Sequence, residues 1–226
     1  MVTKKVSIVL SPLMMIIEIN TKDRIRQKAD ELFMRYGLRS VSMDDIANSL
    51  GISKKTIYQF FADKNELVDA VLEETLSFNK QNCDRNRSGS ANAVEEIFLS
   101  MDIADQIFRN MHPSVIFDMQ KYHPQAFSRF LKHKNEYLYN IVFKNLERGI
   151  KEDLYRPEIN AEILSRFRVE SMLMSFNPEF YIGQKHNVAE VERQLLEHFL
   201  YGIASLKGHK LILKYQQERL KKQHKK

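Results

Sequence analysis

Apolar residues between Lys22 and Phe61 recur three and four positions apart, and this rhythm is interrupted by two glycines, Gly37 and Gly51. A period near 3.6 broken by single glycines describes short helices turned sharply against one another, and it excludes the two-residue alternation of strands. Ile25, Ala29, Leu32 and Phe33 share one face of a first helix predicted over Lys22–Tyr36. Asn20 or Thr21 can cap it, and Gly37 can take the left-handed conformation that closes it. Ser42 and Asp45 then form an S-x-x-D capping pattern ahead of Ile46, Ala47 and Leu50, and Gly51 ends that second helix. Ser53 can cap a third, Lys54–Phe61, with Ile52 before the cap and Ile57 inside the first turn as a hydrophobic staple. Two helices joined by a tight glycine turn result.

The rest of the chain continues in helices. Only 7 Gly and 5 Pro occur in 226 residues, which favours an all-α fold over a strand-rich one. A long helix is predicted from Lys64 to about Asn79, with Leu67, Val68, Val71, Leu72 and Leu76 inward. The polar stretch Lys80–Asn92 reads as a loop or domain junction, and Pro113, Pro124, Pro157 and Pro178 mark later boundaries.

Charge narrows the function less than its total suggests. The formal charge is +6, but residues 210–226 hold seven basic side chains against one acidic, leaving 28 of each sign in residues 1–209. The excess belongs to the tail and carries little information about the folded body. One cysteine, Cys83, excludes an internal disulfide and fits a reducing, cytoplasmic setting. Val6–Ile17 is nearly all apolar, yet Pro12 interrupts it, no small-x-small site follows, and it falls short of the roughly 20 residues that span a bilayer. Translation starting at Met14 or Met15 is the simpler expectation, and no membrane partner is expected. His112, His123, His133 and His198 lack the spacing of a zinc motif, and no local signature joins a nucleophile to a base. No metal, cofactor or catalytic residue is expected.

In a helix-turn-helix the second helix enters the major groove, so it needs an apolar inner face and a polar or basic outer one. Ile57 and Phe61 supply the first. Lys54, Lys55, Thr56, Tyr58 and Gln59 are left for the second: lysine can reach guanine acceptors or phosphate, glutamine can pair with adenine, and hydroxyls can reach phosphates.

These residues resemble the TetR family of transcriptional regulators. The matching stretches are Val41-Ser42-Met43-Asp44-Asp45-Ile46-Ala47, Leu50-Gly51-Ile52-Ser53-Lys54-Lys55-Thr56-Ile57-Tyr58-Gln59-Phe60-Phe61 and Lys64-Asn65-Glu66-Leu67, within about residues 20–72. The resemblance implies a DNA-binding set of Ser42, Ser53, Lys54, Lys55, Thr56, Tyr58, Gln59 and Lys64, with Ser42, Tyr58 and Lys64 near phosphates. Two positions depart from the family pattern. Lys55 stands where a small residue is common, and Phe60, where Tyr or His is usual, has no hydroxyl for a backbone contact. The implied organisation is an N-terminal extension (1–19), a three-helix DNA-binding domain (20–66), a larger helical regulatory and dimerisation domain (67–209) and a basic tail (210–226).

Family members usually dimerise through their last two long helices. Val188, Val191, Leu195, Leu196, Phe199, Leu200, Ile203 and Leu206 form a wide apolar face on one predicted helix, with Gly202 permitting close approach and Ala161–Phe176 as its partner. Leu195, Phe199, Gly202 and Ile203 are the expected homodimer contacts. The middle helices are rich in Met and aromatic residues, and Met101, Phe108, Met111, Phe117, Phe127, Phe130 and Tyr137 are the expected lining of a pocket for an apolar small-molecule effector. The reading is a repressor that leaves a palindromic operator when the effector binds. The alternatives are a helical protein-interaction module, marked by a negative or occluded recognition face, and an all-α enzyme, marked by convergent carboxylates or a metal.

Overall fold

The structure, a computed structural model, describes residues 12–177, 179 and 186–223. The apolar run before Pro12, Pro178, Lys225 and Lys226 lie outside the described residues. The elements are α1 (Pro12–Tyr36), α2 (Met43–Leu50), α3 (Lys54–Tyr58), α4 (Lys64–Gly89), α5 (Ala93–Phe108), α6 (Val115–Tyr122) and α7 (Pro124–Lys132). A π-helical turn (His133–Leu138) leads from α7 into α8 (Tyr139–Lys151). They are followed by α9 (Ala161–Ser171), a short 3-10 turn (Met174–Phe176), α10 (Val188–Ile203) and α11 (Leu206–Gln223). Among the described residues there is no strand, only an isolated bridge between Tyr155 and Ala204.

Local chemistry fixes where the helices begin. The Ser42 hydroxyl accepts the Asp45 amide at 3.2 Å while the Asp45 carboxylate accepts the Ser42 amide at 2.8 Å. Ser53, Asp63, Asn92, Asn160 and Asn187 cap α3, α4, α5, α9 and α10 in the same sense, each such cap contributing about 1 kcal/mol. Gly51 closes α2 at φ 65° and Gly37 follows α1 at φ 84°, a region that side-chain-bearing residues rarely enter.

Two cores form. The first joins α1–α4 to α6 and α7 through Ile25, Phe33, Ile46, Ile57, Phe61 and Met119. The second joins α5, α8, α10 and α11 through Phe98, Leu146, Tyr155, Leu200, Ile203 and Ile212. The N-terminal three helices are therefore tied to the body beyond α4. The His112 amide donates to the Met34 carbonyl at 2.6 Å, and the Arg39 amide donates to the buried Asp118 carboxylate at 3.0 Å.

Several boundaries differ from expectation. The polar stretch after Asn79 is not a loop: α4 runs on to Gly89, leaving 90–92 as the connection. Partners elsewhere in the fold hold that extension. Arg148 donates to the carbonyl and hydroxyl of Ser90, and the Tyr137 hydroxyl donates to the Lys80 carbonyl. The recognition helix is shorter than expected and α9 stops at Ser171, before the predicted Phe176. Leu206 opens α11 rather than ending α10 and is exposed, and residues 210–223 of the basic tail are helical. Helix α11 is docked on α5, where Arg219 donates to the Phe98 carbonyl at 3.1 Å.

Candidate nucleic-acid interface and interior cavity

The helix-turn-helix presents one continuous polar face. Ile57 and Phe61 are fully buried under it and Ile52 packs against the same core, each buried side chain stabilising the arrangement by about 1.5–3 kcal/mol. With that face pinned inward, Lys54, Lys55, Tyr58 and Gln59 are left exposed, and Ser42 and Ser53 stand beside them at the helix caps. Thr56 is half-buried, its hydroxyl 2.8 Å from that of Ser53. Phe60 packs against the core, so its missing hydroxyl leaves no gap in the outer face.

Two lysines are not free. Lys54 donates to Asp44 at 2.6 Å across the turn, and this partner raises its ammonium above the ordinary lysine value. Lys64 is turned inward, donating to the Leu38 carbonyl above the Phe33 ring. Burial lowers its ammonium, opposed by Asp118 and Asp45. Lys64 thus braces the start of α4 against the loop before α2. Hydrogen bonds from Ser42 hold the Asp45 carboxyl below the usual range.

Behind this head, α4–α10 enclose a cavity of about 270 Å³, near the lower end of small-molecule sites at ~300–1,000 Å³. Of the seven expected lining residues, Phe108, Met111 and Phe130 line it. The others do not. Met101 is buried in the second core, Phe117 is exposed, Phe127 stacks on Phe130, and the Tyr137 hydroxyl faces Lys80 and Asp84. The cavity is bounded instead along α4, whose Val68, Leu72 and Thr75 give way to Asn79, Asn82 and Asn86. Asn82 and Asn86 lie in the segment that polarity alone assigns to a loop; the spacing of three and four from Asn79 is the signal that could have placed them on a helix.

Charged groups at the cavity wall are paired within the protein. Arg168 of α9 donates to Glu192 of α10, which also accepts the Ser175 hydroxyl at 3.0 Å. Lys134 meets Glu170 at 2.6 Å, and Arg148 meets Glu96 at 3.1 Å. The ring of His133 stacks on Tyr137 with Nε2 at 2.9 Å from Asn79, and its Nδ1 is buried without a partner. Burial, with the Lys80 ammonium adding to it, pushes His133 down to about 4. Burial pushes the Cys83 thiol, also at the cavity wall, up to about 11. Among the described residues no group of three or more metal-ligating side chains converges, and no helix is long and apolar enough to cross a membrane.

The outer surface of the last long helices is apolar in part. Phe199 and Ile203 are buried inside the subunit, whereas Leu195 is half-buried and Gly202 exposed. Beside them α9 exposes Ile163 and Phe167, the latter stacked on Phe199.

Residues 25–71 match the family of bacterial regulatory proteins described as the tetR family. The HTH-type transcriptional regulator YvaF of Bacillus subtilis is 25% identical over 186 residues, covering 80% of this chain and 95% of that protein. The structure of the ketosteroid transcriptional regulator KstR2 of Mycobacterium tuberculosis matches with a TM-score of 0.59 at 24% identity, covering 82% of this chain and 95% of that one. The transcriptional regulator FadR of Bacillus subtilis, solved in complex with stearoyl-CoA, matches at 0.60 and 17% identity over 80% of this chain and 98% of that one. These structural likenesses concern the fold, while the match over the head falls on the helices that carry the recognition face. Residues 25–71 thus carry a helix-turn-helix like that of the tetR family of bacterial regulatory proteins, on a chain that shares the fold of such regulators.

Proposed function

We propose that the protein is a homodimeric repressor that leaves a palindromic operator when a small, predominantly apolar molecule fills the cavity. The observation that carries this reading is the continuity of α4: it begins at Lys64, six residues after the last residue of α3, and its inner face then lines the cavity. A tilt of one rigid helix changes the head and the cavity together.

In this reading Ser42, Ser53 and Tyr58 meet phosphates, Lys55 and Gln59 read base edges, and Lys54 and Thr56 orient the helix start. Lys64 acts from behind through Leu38. The domain division at residues 66 and 67 marks the hinge, although the first core spans it. The exposed Ile163, Phe167 and Gly202 and the half-buried Leu195 form the contact between subunits, with Phe199 and Ile203 supporting it from inside. Two heads related by a two-fold axis read half-sites about one helical turn, ~34–36 Å, apart. The open recognition face favours DNA over the protein-interaction alternative, which would need that face covered or negative.

The test is capture of genomic fragments by the purified protein, footprinting of the operator, and calorimetric titration of apolar compounds with and without operator DNA. An inducer that lowers DNA affinity tenfold must itself bind tenfold more weakly to the DNA complex, a coupling of ~1.4 kcal/mol. A footprint without two-fold symmetry would overturn the dimeric reading, and equal affinities in both titrations would remove a compound as inducer.

A further inference from the structure

The cavity face of α4 changes character along its length. Val68 and Leu72, nearer the head, are apolar, while Asn82 and Asn86 are amides with 4% and 8% of their surface exposed. Burying an amide without partners costs about 1–3 kcal/mol, so buried asparagines normally have all their polar atoms engaged. These do not. Asn82 uses its Nδ2 on the Phe78 carbonyl of its own helix at 2.9 Å, and its Oδ1 and the whole Asn86 amide have no hydrogen-bond partner among the described residues. Neither side chain is among those whose polar atoms are sealed from solvent-sized space; both open on the cavity.

The charged groups around the same space are already neutralised. Arg168 is held by Glu192, Lys134 by Glu170 and Glu96 by Arg148. Among the described residues lining the cavity, a carboxylate or phosphate entering would find no free cation, and an ammonium would find no free carboxylate. Either would lose its hydration without a counter-charge.

We infer that Asn82 and Asn86 are the specificity-determining residues of the cavity, and that the effector is an uncharged amphiphile. Its apolar body lies along Val68 and Leu72. Its polar end, a hydroxyl or similar group that both donates and accepts, pairs with the two amides near the C-terminal end of α4. The inference rests on the cavity being the effector site, as proposed above, and adds the chemical class of the effector and the residues that read it.

The experiment uses the full chain and N-phenyl-1-naphthylamine, an uncharged fluorophore that brightens in apolar sites, displaced by 1-octanol, 1-chlorooctane, octanoate or octylammonium. Octanol should displace at concentrations at least about tenfold below octanoate and octylammonium, and severalfold below chlorooctane. Asn82→Leu with Asn86→Leu should bring octanol down to the level of chlorooctane, leave fluorophore binding in place and raise Tm, since the unpaired Asn86 amide and the unpaired Asn82 Oδ1 are removed. The single Asn86→Ala variant, which only deletes atoms, repeats the comparison if the double variant folds poorly. Octanoate or octylammonium matching octanol would overturn the uncharged class, and an octanol preference unchanged in the variants would overturn the role of the asparagines. If the fluorophore never enters, the cavity reading itself fails, and that failure is distinguishable because no displacement can be measured at all.

Discussion

Lys54 Nζ lies 2.6 Å from Asp44 Oδ2, so the first lysine of the recognition helix is held by an exposed carboxylate of the helix before it. An exposed pair of this kind contributes little to the fold because solvent screens it, and its larger effect is on DNA, because it removes a positive charge from the reading face. Asp44→Asn should free Lys54 for phosphate and weaken repulsion. Affinity for random-sequence DNA should rise about threefold to tenfold at low salt, with the slope of log K against log salt steeper by about 0.9. Fluorescence anisotropy across a salt series measures both, and an unchanged slope would show that Lys54 stays bound to Asp44 on DNA.

Lys55 and Tyr58 are exposed on the side opposite Ile57, and their loss should leave the fold intact. Lys55→Ala should relax preference at one operator position by about 1–3 kcal/mol, whereas Tyr58→Phe, losing a phosphate contact, should weaken all sequences alike. Binding to a set of single-base operator variants separates the two patterns. Unchanged affinity in both mutants would mean that α3 is not the reading helix.

A Cβ added at Gly202 would meet no atom within 4 Å in the subunit beyond its own stretch of helix. Gly202→Arg should therefore keep its helicity while blocking the close approach of a second copy. The expected result is a monomer by light scattering and loss of cooperative operator binding. A dimer of unchanged mass would move the interface away from this face of α10.

The Cys83 thiol, raised to about 11 by burial, is a poor nucleophile despite being the chain's lone cysteine. At about pH 8 only about one molecule in a thousand carries the thiolate, so labelling by a maleimide should be at least about a hundredfold slower than for free cysteine. Octanol occupying the cavity should slow it further. Rapid labelling of the native protein would show that the cavity wall opens readily near Cys83.

How much of this was legible beforehand depended on whether the informative contacts were local. The helix-turn-helix was readable because its determinants lie within a few positions: Ser42 with Asp45, Gly51 at φ 65°, Ser53 with Thr56. The extent of α4 was not, because its polar second half is held by Arg148 and Tyr137, more than fifty residues away. The pocket forecast failed at Met101, Phe117, Phe127 and Tyr137 for a related reason: composition says a helix is apolar without saying which side meets the cavity. The same ambiguity blurred α10, where Phe199 and Ile203 are buried and Gly202 is exposed. Asn82 and Asn86 were overlooked because a polar residue reads as solvent-facing until a cavity is seen beside it.

His133 offers a pH signature of the buried wall. Its imidazole stays neutral down to about 4 in the folded chain, against an ordinary value of 6.5. Between those values the unfolded chain binds a proton that the folded chain does not, so stability is full above about pH 6.5 and is lost as pH falls towards 4. At about pH 5 the loss attributable to this residue is on the order of 2 kcal/mol. His123, also lowered by burial, acts in the same direction and remains in the mutant, so the comparison isolates His133. In urea unfolding, His133→Gln should show a fall in stability between about pH 7 and 5 that is smaller than the wild-type fall by about that amount. Parallel pH dependences in the two proteins would show that His133 protonates as readily when folded as when unfolded, and hence that water reaches its ring from the cavity.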